Sequence, residues 1–149
     1  MEVTVLNRQR ALPVDGPALE LFARRLAREV GDPSADRLGV CVVSDRAMRE
    51  YNRRYRGENR TTDVLAFPSG GGGSPDGTRH LGDIVLSAQR AAVQAREAHH
   101  ALSRELYLLL LHGYLHLLGH DHDKDGGVME RLERRLVRRL LPSRRRARR

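Results

Sequence analysis

The chain contains the stretch HGYLHLLGHDH at residues 112–122. His112 and His116 are four residues apart, a spacing that places two side chains on the same face of an α-helix. Gly119 follows three residues later, and glycine is the residue best suited to the left-handed conformation that ends a helix. The stretch therefore predicts a helix that presents two imidazoles, followed by a turn back towards them.

A third imidazole would complete a metal site next to this pair. Either His120 or His122 can reach the pair after the turn, and the spacing alone does not decide between them. Three imidazoles and an open position are typical of a catalytic zinc site, whereas a structural zinc usually has four protein ligands. A histidine on an apolar helix is usually a core residue, but three at these spacings favour one bound zinc ion.

The same spacing, His-x-x-x-His-x-x-Gly-x-x-His, is the ligand pattern of the metzincin proteases. Zincin proteases also need a glutamate directly after the first histidine, where it acts as the general base. Gly113 occupies that position in this chain. The sequence thus keeps the metal ligands without the base of a peptidase, and a metalloprotease remains only as a less favoured alternative.

The length and charge of the chain suggest one domain with a basic tail. A chain of 149 residues suits a single domain, which we assign to residues 1–142, with residues 143–149 as the tail. The net charge is +8, and five of the last six residues are arginine. Clustered guanidinium groups bind phosphates, so nucleic acid is the expected class of partner, and a solvated tail without a ligand is the alternative.

The sequence gives no indication of export or of a membrane span. Cys41 is the only cysteine, so no disulfide can form within the chain. No apolar stretch is long enough to cross a bilayer, and the N-terminus lacks a long apolar signal segment. We therefore expect a cytoplasmic protein with no membrane partner.

Hydrophobic periodicity and turn residues divide the chain into alternating strands and helices. A glycine-rich loop is expected at residues 70–77. The helix that carries the histidine pair is apolar on every side, so it should lie in the middle of the domain, with Ser103 as a candidate cap. The expected strands are residues 2–6, 38–43, 63–67 and 81–86, and the expected helices are residues 17–30, 45–55, 88–98, 103–118 and 128–141.

Four segments resemble the signatures of the YbeY family of bacterial rRNA-maturation endoribonucleases. The histidine stretch is similar to the family's most specific motif. The segments NRRYRG and TDVLAFP, at residues 52–57 and 62–68, resemble its Asn-x-x-Tyr/Phe-Arg-Gly and Thr-Asp-Val-Leu-Ser-Phe-Pro motifs, and LGDIV at residues 81–85 resembles a Leu-Gly-Asp-Ile strand. Two positions depart from the family: Ala66 replaces the usual serine, and His120 stands where tyrosine is common.

The resemblance implies both a fold and an activity. The fold would be α+β, a single domain in which a mixed sheet of about four strands packs with helices around the central histidine-bearing helix, similar to a zincin. The metal ligands would be His112, His116 and His122, with His120 excluded. The activity would be metal-dependent cleavage of single-stranded RNA during 16S rRNA 3′-end maturation and ribosome quality control. The family's partners are the small ribosomal subunit, one of its proteins and the GTPase Era.

Two further residues become candidates for catalysis through the resemblance. Arg56 would hold the scissile phosphate, because a guanidinium group matches the geometry of phosphate. Asp83 would orient a ligand histidine or accept a proton. The nucleophile is left open between a metal-activated water and the ribose 2′-hydroxyl. A non-catalytic ribosome-assembly factor that binds RNA and a metal is the main alternative function.

Overall fold

The computed structural model describes residues 1–31, 35–69, 75–121 and 126–142. Within these ranges, the order of the strands and helices is β1 (Glu2–Asn7), α1 (Gly16–Glu29), β2 (Arg37–Val43), α2 (Asp45–Arg56), β3 (Val64–Pro68), β4 (His80–Ser87), α3 (Ala88–Glu97), α4 (Leu102–Leu117) and α5 (Val128–Leu140). Strands and helices alternate from β1 to α2, two strands follow, and the last three elements are helices. The prediction of a single α+β domain is confirmed.

The described strands form one mixed sheet with the order β1-β2-β4-β3. Parallel pairing joins β1 to β2 and β2 to β4, whereas β3 is antiparallel to β4. The expected mixed sheet of four strands is therefore confirmed, and β2 lies in its interior as the apolar sequence at residues 38–43 predicts. Strand β3 lies at one edge of the sheet.

The two faces of the sheet are covered by different helices, because successive side chains of a strand point to opposite faces. Val42 and Ile84 belong to the main core, which they share with apolar residues of α1, α4 and α5. Val43 and Val85 belong to a smaller cluster on the other face, together with Met48 of α2. Helices α4 and α2 thus pack on opposite faces.

Helix α4 is the central helix of the domain. Leu110, Tyr114 and Leu115 are completely buried, as expected for a helix that is apolar on all sides. Gly113 allows the helix to approach the sheet closely. A Cβ atom at this position would lie 2.9 Å from Cγ2 of Ile84 and 3.1 Å from Cγ2 of Val64.

Polar side chains cap the first turns of three of the predicted helices. The side chains of Asp15, Ser44 and Ser87 each accept a hydrogen bond from the backbone N–H three residues further along. The expected cap at Ser103 is wrong, because α4 begins at Leu102 and its N-cap residue is Ala101. Ser103 therefore lies inside the first turn.

Some predicted features fall outside the described ranges. The arginine tail at residues 143–149 and the glycines at residues 70–74 lie there, so only the end of the expected loop is described, as a turn at residues 75–77. In the described part of the chain, no helix combines the length and the apolar character needed to cross a membrane. Cys41 is partly buried, and this burial raises the pKa of its thiol.

Candidate active site

The C-terminal half of α4 presents its two histidines side by side. The Nε2 atoms of His112 and His116 are 3.0 Å apart, and the two rings meet edge to face with centroids separated by 4.6 Å. Two nitrogens bound to a tetrahedral zinc at about 2.0–2.1 Å would lie roughly 3.3 Å apart. The pair therefore has a separation that fits two ligands of the same metal ion.

A carboxylate supports this pair from α5. Nδ1 of His112 lies 2.8 Å from Oε1 of Glu133, and the side chains of both residues are less than one-third exposed. A carboxylate in this position fixes the tautomer of a ligating histidine and keeps Nε2 available for a metal. Glu133 thus belongs to the site.

Sequence reasoning missed Glu133, although the sequence contains a signal for it. Met129, Leu136 and Leu140 form the buried stripe of α5. Glu133 follows Met129 by four residues and precedes Leu136 by three, so it lies on the same side of the helix as the apolar residues. A carboxylate within an apolar stripe needs a partner, and here that partner is His112.

Gly119 ends α4 as predicted. Its φ angle is 93°, which is in the left-handed region. Its N–H donates to the carbonyl oxygen of His116 at 3.0 Å, and the N–H of His120 donates to that of Leu115 at 3.1 Å. These two bonds form the Schellman motif, which turns the chain sharply at a helix end.

The structure describes two of the three expected metal ligands. His122 lies outside the described ranges, so its role as a ligand remains a prediction. Among the residues that are described, no group of three or more histidine, cysteine, aspartate or glutamate side chains could hold a metal ion. His120, the other candidate from spacing, lines the cleft beside the histidine pair.

An open cleft of about 820 Å³ runs along edge strand β3, between the C-terminal ends of α2 and α4. Arg56 is the last residue of α2, and it lines this cleft together with His112 and His116. The structure therefore brings the predicted phosphate-binding residue to the same cleft as the histidine pair. The other lining residues are Tyr55, Thr62, Asp63, Val64, Leu65, Ala66, Phe67, Gly113, Gly119, His120 and Asp121.

Asp83 does not join this cleft. Its side chain is exposed, and its Oδ1 lies 3.3 Å from Nε2 of His80. Ile84, the next residue in β4, faces α4 beneath Gly113, so alternation along the strand directs Asp83 to the opposite face of the sheet. The expected role of Asp83 in orienting a ligand histidine does not fit this geometry, in which Glu133 contacts His112 instead.

A second cleft of about 520 Å³ adjoins the first and shares Arg56, Thr62 and Asp63 with it. Arg60 and Arg90 also line this second cleft. The carboxylate of Asp63 is already hydrogen-bonded, since it accepts the Val64 N–H at 2.8 Å and the side-chain amide of Gln94 at 3.1 Å.

Arg56 therefore stands between two connected polar clefts. Glu58 forms an ion pair with Arg60 at 2.9 Å, which leaves Arg56 and Arg90 as the guanidinium groups best able to meet an anion there. Guanidinium groups along a continuous groove suit an extended polyanion such as a single nucleic-acid strand.

Comparisons with known proteins all match the same family. The family model described as "Endoribonuclease YbeY" matches residues 5–141. The protein named Endoribonuclease YbeY from Solibacter usitatus is 47% identical over 119 residues, which cover 80% of this chain and 75% of the relative. Its namesake from Moorella thermoacetica is 39% identical over 140 residues, which cover 87% of this chain and 90% of the relative.

A solved structure supports the same relationship. The solution structure of TM1509 from Thermotoga maritima superposes on this chain with a TM-score of 0.61 and 28% sequence identity. The match covers 93% of this chain and 88% of that protein.

Proposed function

We propose, because the chain belongs to the endoribonuclease YbeY family, that it is a metal-dependent endoribonuclease acting on single-stranded RNA. Its active site would be the cleft between the ends of α2 and α4. The observation that carries this proposal is the convergence of the His112 and His116 Nε2 atoms, 3.0 Å apart, in a cleft that Arg56 also lines. These groups would supply two ligands of a metal site and a phosphate-binding residue for one reaction.

His112, His116 and His122 would hold one zinc ion. Imidazole nitrogens are ligands that zinc prefers, and three of them leave a position open for water or substrate. When bound, the metal would act as a Lewis acid on the phosphodiester and on water. Glu133 would keep the imidazole of His112 in the tautomer that a metal requires, through the contact between its Oε1 and Nδ1 of the ring.

Arg56 would bind the scissile phosphate and stabilise the negative charge that develops on its oxygens. A guanidinium group offers paired N–H donors that match two phosphate oxygens. The position of Arg56 at the end of α2, where it faces both polar clefts, supports this role.

The physiological substrate would be the 3′ end of the 16S rRNA precursor, with the small ribosomal subunit and the GTPase Era as partners. Such a substrate would place the protein in the cytoplasm. We assign the catalytic domain to residues 1–142 and an accessory RNA-binding role to the basic residues 143–149. The concentration of arginine at that end of the sequence supports the second assignment.

Two alternatives make different predictions. A metalloprotease would need a general base after the first histidine, but Gly113 packs directly against Ile84 and Val64. A non-catalytic assembly factor would bind RNA and metal through the same residues, without cleavage. Cleavage assays on single-stranded RNA and on casein, each with and without a chelator, separate the three functions.

The decisive experiment compares the wild-type protein with Arg56→Ala, Arg56→Lys and His112→Ala. We expect chelator-sensitive cleavage of RNA and none of casein. Arg56→Ala should lower the rate at saturating RNA about 10²-fold, as does the loss of one oxyanion donor. Arg56→Lys should rescue poorly, because an ammonium group lacks the paired donors of arginine. Metal content should fall only in His112→Ala.

A matched control is Arg54→Ala, since Arg54 is exposed on the same helix but lines neither cleft. This variant should cut RNA at the wild-type rate. Equal cleavage by wild type, Arg56→Ala and His112→Ala would mean that a contaminating nuclease is responsible, and the non-catalytic function would then be preferred.

A further inference from the structure

Tyr55 is an exposed aromatic residue on the wall of the cleft. Its side chain is 59% exposed, although it lines the same cleft as the histidine pair. Most large apolar side chains among the described residues are buried, and binding clefts are commonly lined by aromatic side chains. The position of this ring therefore calls for a ligand that covers it.

Two neighbouring rings hold Tyr55 in place. Phe67 of edge strand β3 meets it edge to face, with centroids 5.3 Å apart and an angle of 67° between the planes. Tyr51, one helical turn earlier in α2, stacks against it at 6.1 Å and 21°. A ring that is already ordered in this way loses little conformational freedom when a second flat group stacks on it.

We propose that Tyr55 is a stacking platform for an unpaired base of the substrate RNA. This inference rests on the proposed endoribonuclease function. Aromatic side chains stack on nucleobases in most proteins that bind single strands, and such stacking tolerates any base. Arg56 is the next residue, so the end of α2 would contact the base and the phosphate of the same region of the strand.

The platform also provides a basis for selecting unpaired RNA. In a duplex, both faces of each base are covered by neighbouring base pairs, so a base must leave the helix before it can stack on a protein ring. Tyr55 would favour RNA whose bases are already accessible. The arginine contacts to phosphate do not make this distinction, because the backbone is charged in both forms.

The test replaces Tyr55 by Ala, Leu and Phe and measures kcat, KM and metal content with a single-stranded oligoribonucleotide. Phenylalanine keeps the flat ring, whereas leucine keeps apolar bulk without it. We expect KM to rise about tenfold for Tyr55→Ala and Tyr55→Leu, because these variants lose the stacking of one base. For Tyr55→Phe, which keeps the ring, KM should stay within about twofold of the wild-type value. Metal content and kcat should change little in all three.

The matched control is Leu21→Ala. Leu21 is 57% exposed, much like Tyr55, but it lies on α1 and away from the cleft. This control should leave KM unchanged. A parallel rise of KM in Leu21→Ala would attribute the effect to a general loss of stability and overturn the proposal.

A substrate series locates the base that stacks. In this series, each oligoribonucleotide carries one abasic site at a different position near the cleaved bond. For the wild-type protein, we expect a higher KM only for the oligoribonucleotide that lacks the base stacked on Tyr55. The same abasic site should have no further effect on Tyr55→Ala, because the interaction is already absent. Additive losses, a KM for Tyr55→Ala equal to wild type, or a loss in Tyr55→Phe as large as in Tyr55→Ala would each overturn the platform. Wild-type protein without chelator-sensitive cleavage would instead overturn the proposed function.

Discussion

Glu133 shows how one side chain outside the histidine motif can determine the properties of the site. Its Oε1 atom lies 2.8 Å from Nδ1 of His112, so the imidazole is held with Nε2 directed towards Nε2 of His116. A carboxylate in this position fixes the orientation and the tautomer of a ligand histidine. The affinity for metal should therefore depend on a residue that is not one of the expected ligands.

Replacing Glu133 should weaken metal binding and leave the fold intact. We expect Glu133→Gln and Glu133→Ala to lower the affinity for zinc by about 10- to 100-fold, with Ala the more severe change. Competition with a chromophoric chelator measures this affinity. Glu130→Gln is the control, because Glu130 is exposed on the same helix and pairs with Arg134. Wild-type affinity in Glu133→Ala would show that the carboxylate has no orienting role.

Gly113 illustrates a different requirement, that of space. Its Cβ would lie within 3.1 Å of methyl groups of Ile84 and Val64. Overpacking typically costs about 1–3 kcal/mol, and the better helix propensity of alanine offsets up to about 1 kcal/mol of that. We expect Gly113→Ala to lower the free energy of unfolding by about 1–2 kcal/mol and Gly113→Glu by more, as measured by urea denaturation.

Gly16→Ala provides the comparison, because a Cβ at Gly16 would meet no atom of the described part of the chain within 4 Å. Its free energy of unfolding should stay close to that of wild type. Gly113→Glu should also remain inactive on casein, since the added carboxylate would have to displace the sheet contact. A stable, proteolytic Gly113→Glu variant would contradict this account of the position.

At the scale of helices and strands, the turn at the end of α4 links the histidine pair to the residues that follow it. Gly119 has a φ angle of 93°, and no atom of the described residues lies within 4 Å of a Cβ placed on it. The cost of a side chain here is therefore conformational and not steric, in contrast to Gly113. The Schellman hydrogen bonds at Gly119 and His120 set the direction in which the chain leaves the helix.

Gly119→Ala should lower the free energy of unfolding by about 1–2 kcal/mol, the usual penalty for a left-handed residue with a Cβ. The variant should also bind zinc more weakly, because the segment that carries His122 would leave α4 in a less favourable direction. Thermal or urea denaturation and the chelator assay measure the two effects. Gly119→Asn, which tolerates the left-handed region better, should recover much of the stability, and equal losses in both variants would contradict the conformational explanation.

The elements themselves were largely predictable from the sequence, and the reasons are local. Capping residues such as Ser44 and Ser87 bind backbone groups only three residues away, so a short pattern predicts them. Gly119 ends its helix for a similarly local reason. Ser103 was misplaced because Ala101, which has no capping side chain, begins α4 through backbone geometry alone.

The parts of the site that were not predictable depend on contacts between distant elements. The position of Glu133 within an apolar stripe indicates that it needs a partner, but that partner is His112 only because α5 packs against α4, which no local pattern predicts. Asp83 was assigned to the site from its motif, but the face that it occupies depends on how β4 packs beneath α4. The packing of helices on the sheet must be known before one can say which side chains of a strand face the site.

For the whole molecule, the distribution of charge governs how RNA approaches. The net charge is +8, and five arginines lie among residues 144–149. Positive charge attracts RNA over distances of about 10 Å at 0.1 M ionic strength, without selecting a sequence. Catalysis, in contrast, should depend on the residues of the proposed active site and not on the tail.

Deleting residues 143–149 should therefore separate binding from chemistry. The truncated protein should bind RNA more weakly, and the slope of log K against log salt should become shallower by up to about 3.5, because five cations release fewer counterions. Cleavage at saturating RNA should remain at the wild-type rate. A control that replaces the same arginines with lysine keeps the charge and should retain most of the slope. An unchanged slope after deletion would mean that these residues do not contact RNA.

The contact between α4 and α5 also has a consequence for the time at which the protein becomes active. Tyr55 and Arg56 lie in the first half of the chain, whereas Glu133 lies in the last helix that the structure describes. During synthesis, the end of α2 is therefore made before the carboxylate that contacts His112. The proposed metal site would therefore be completed only late in synthesis, when α5 has been made and its Glu133 packs onto His112 of α4.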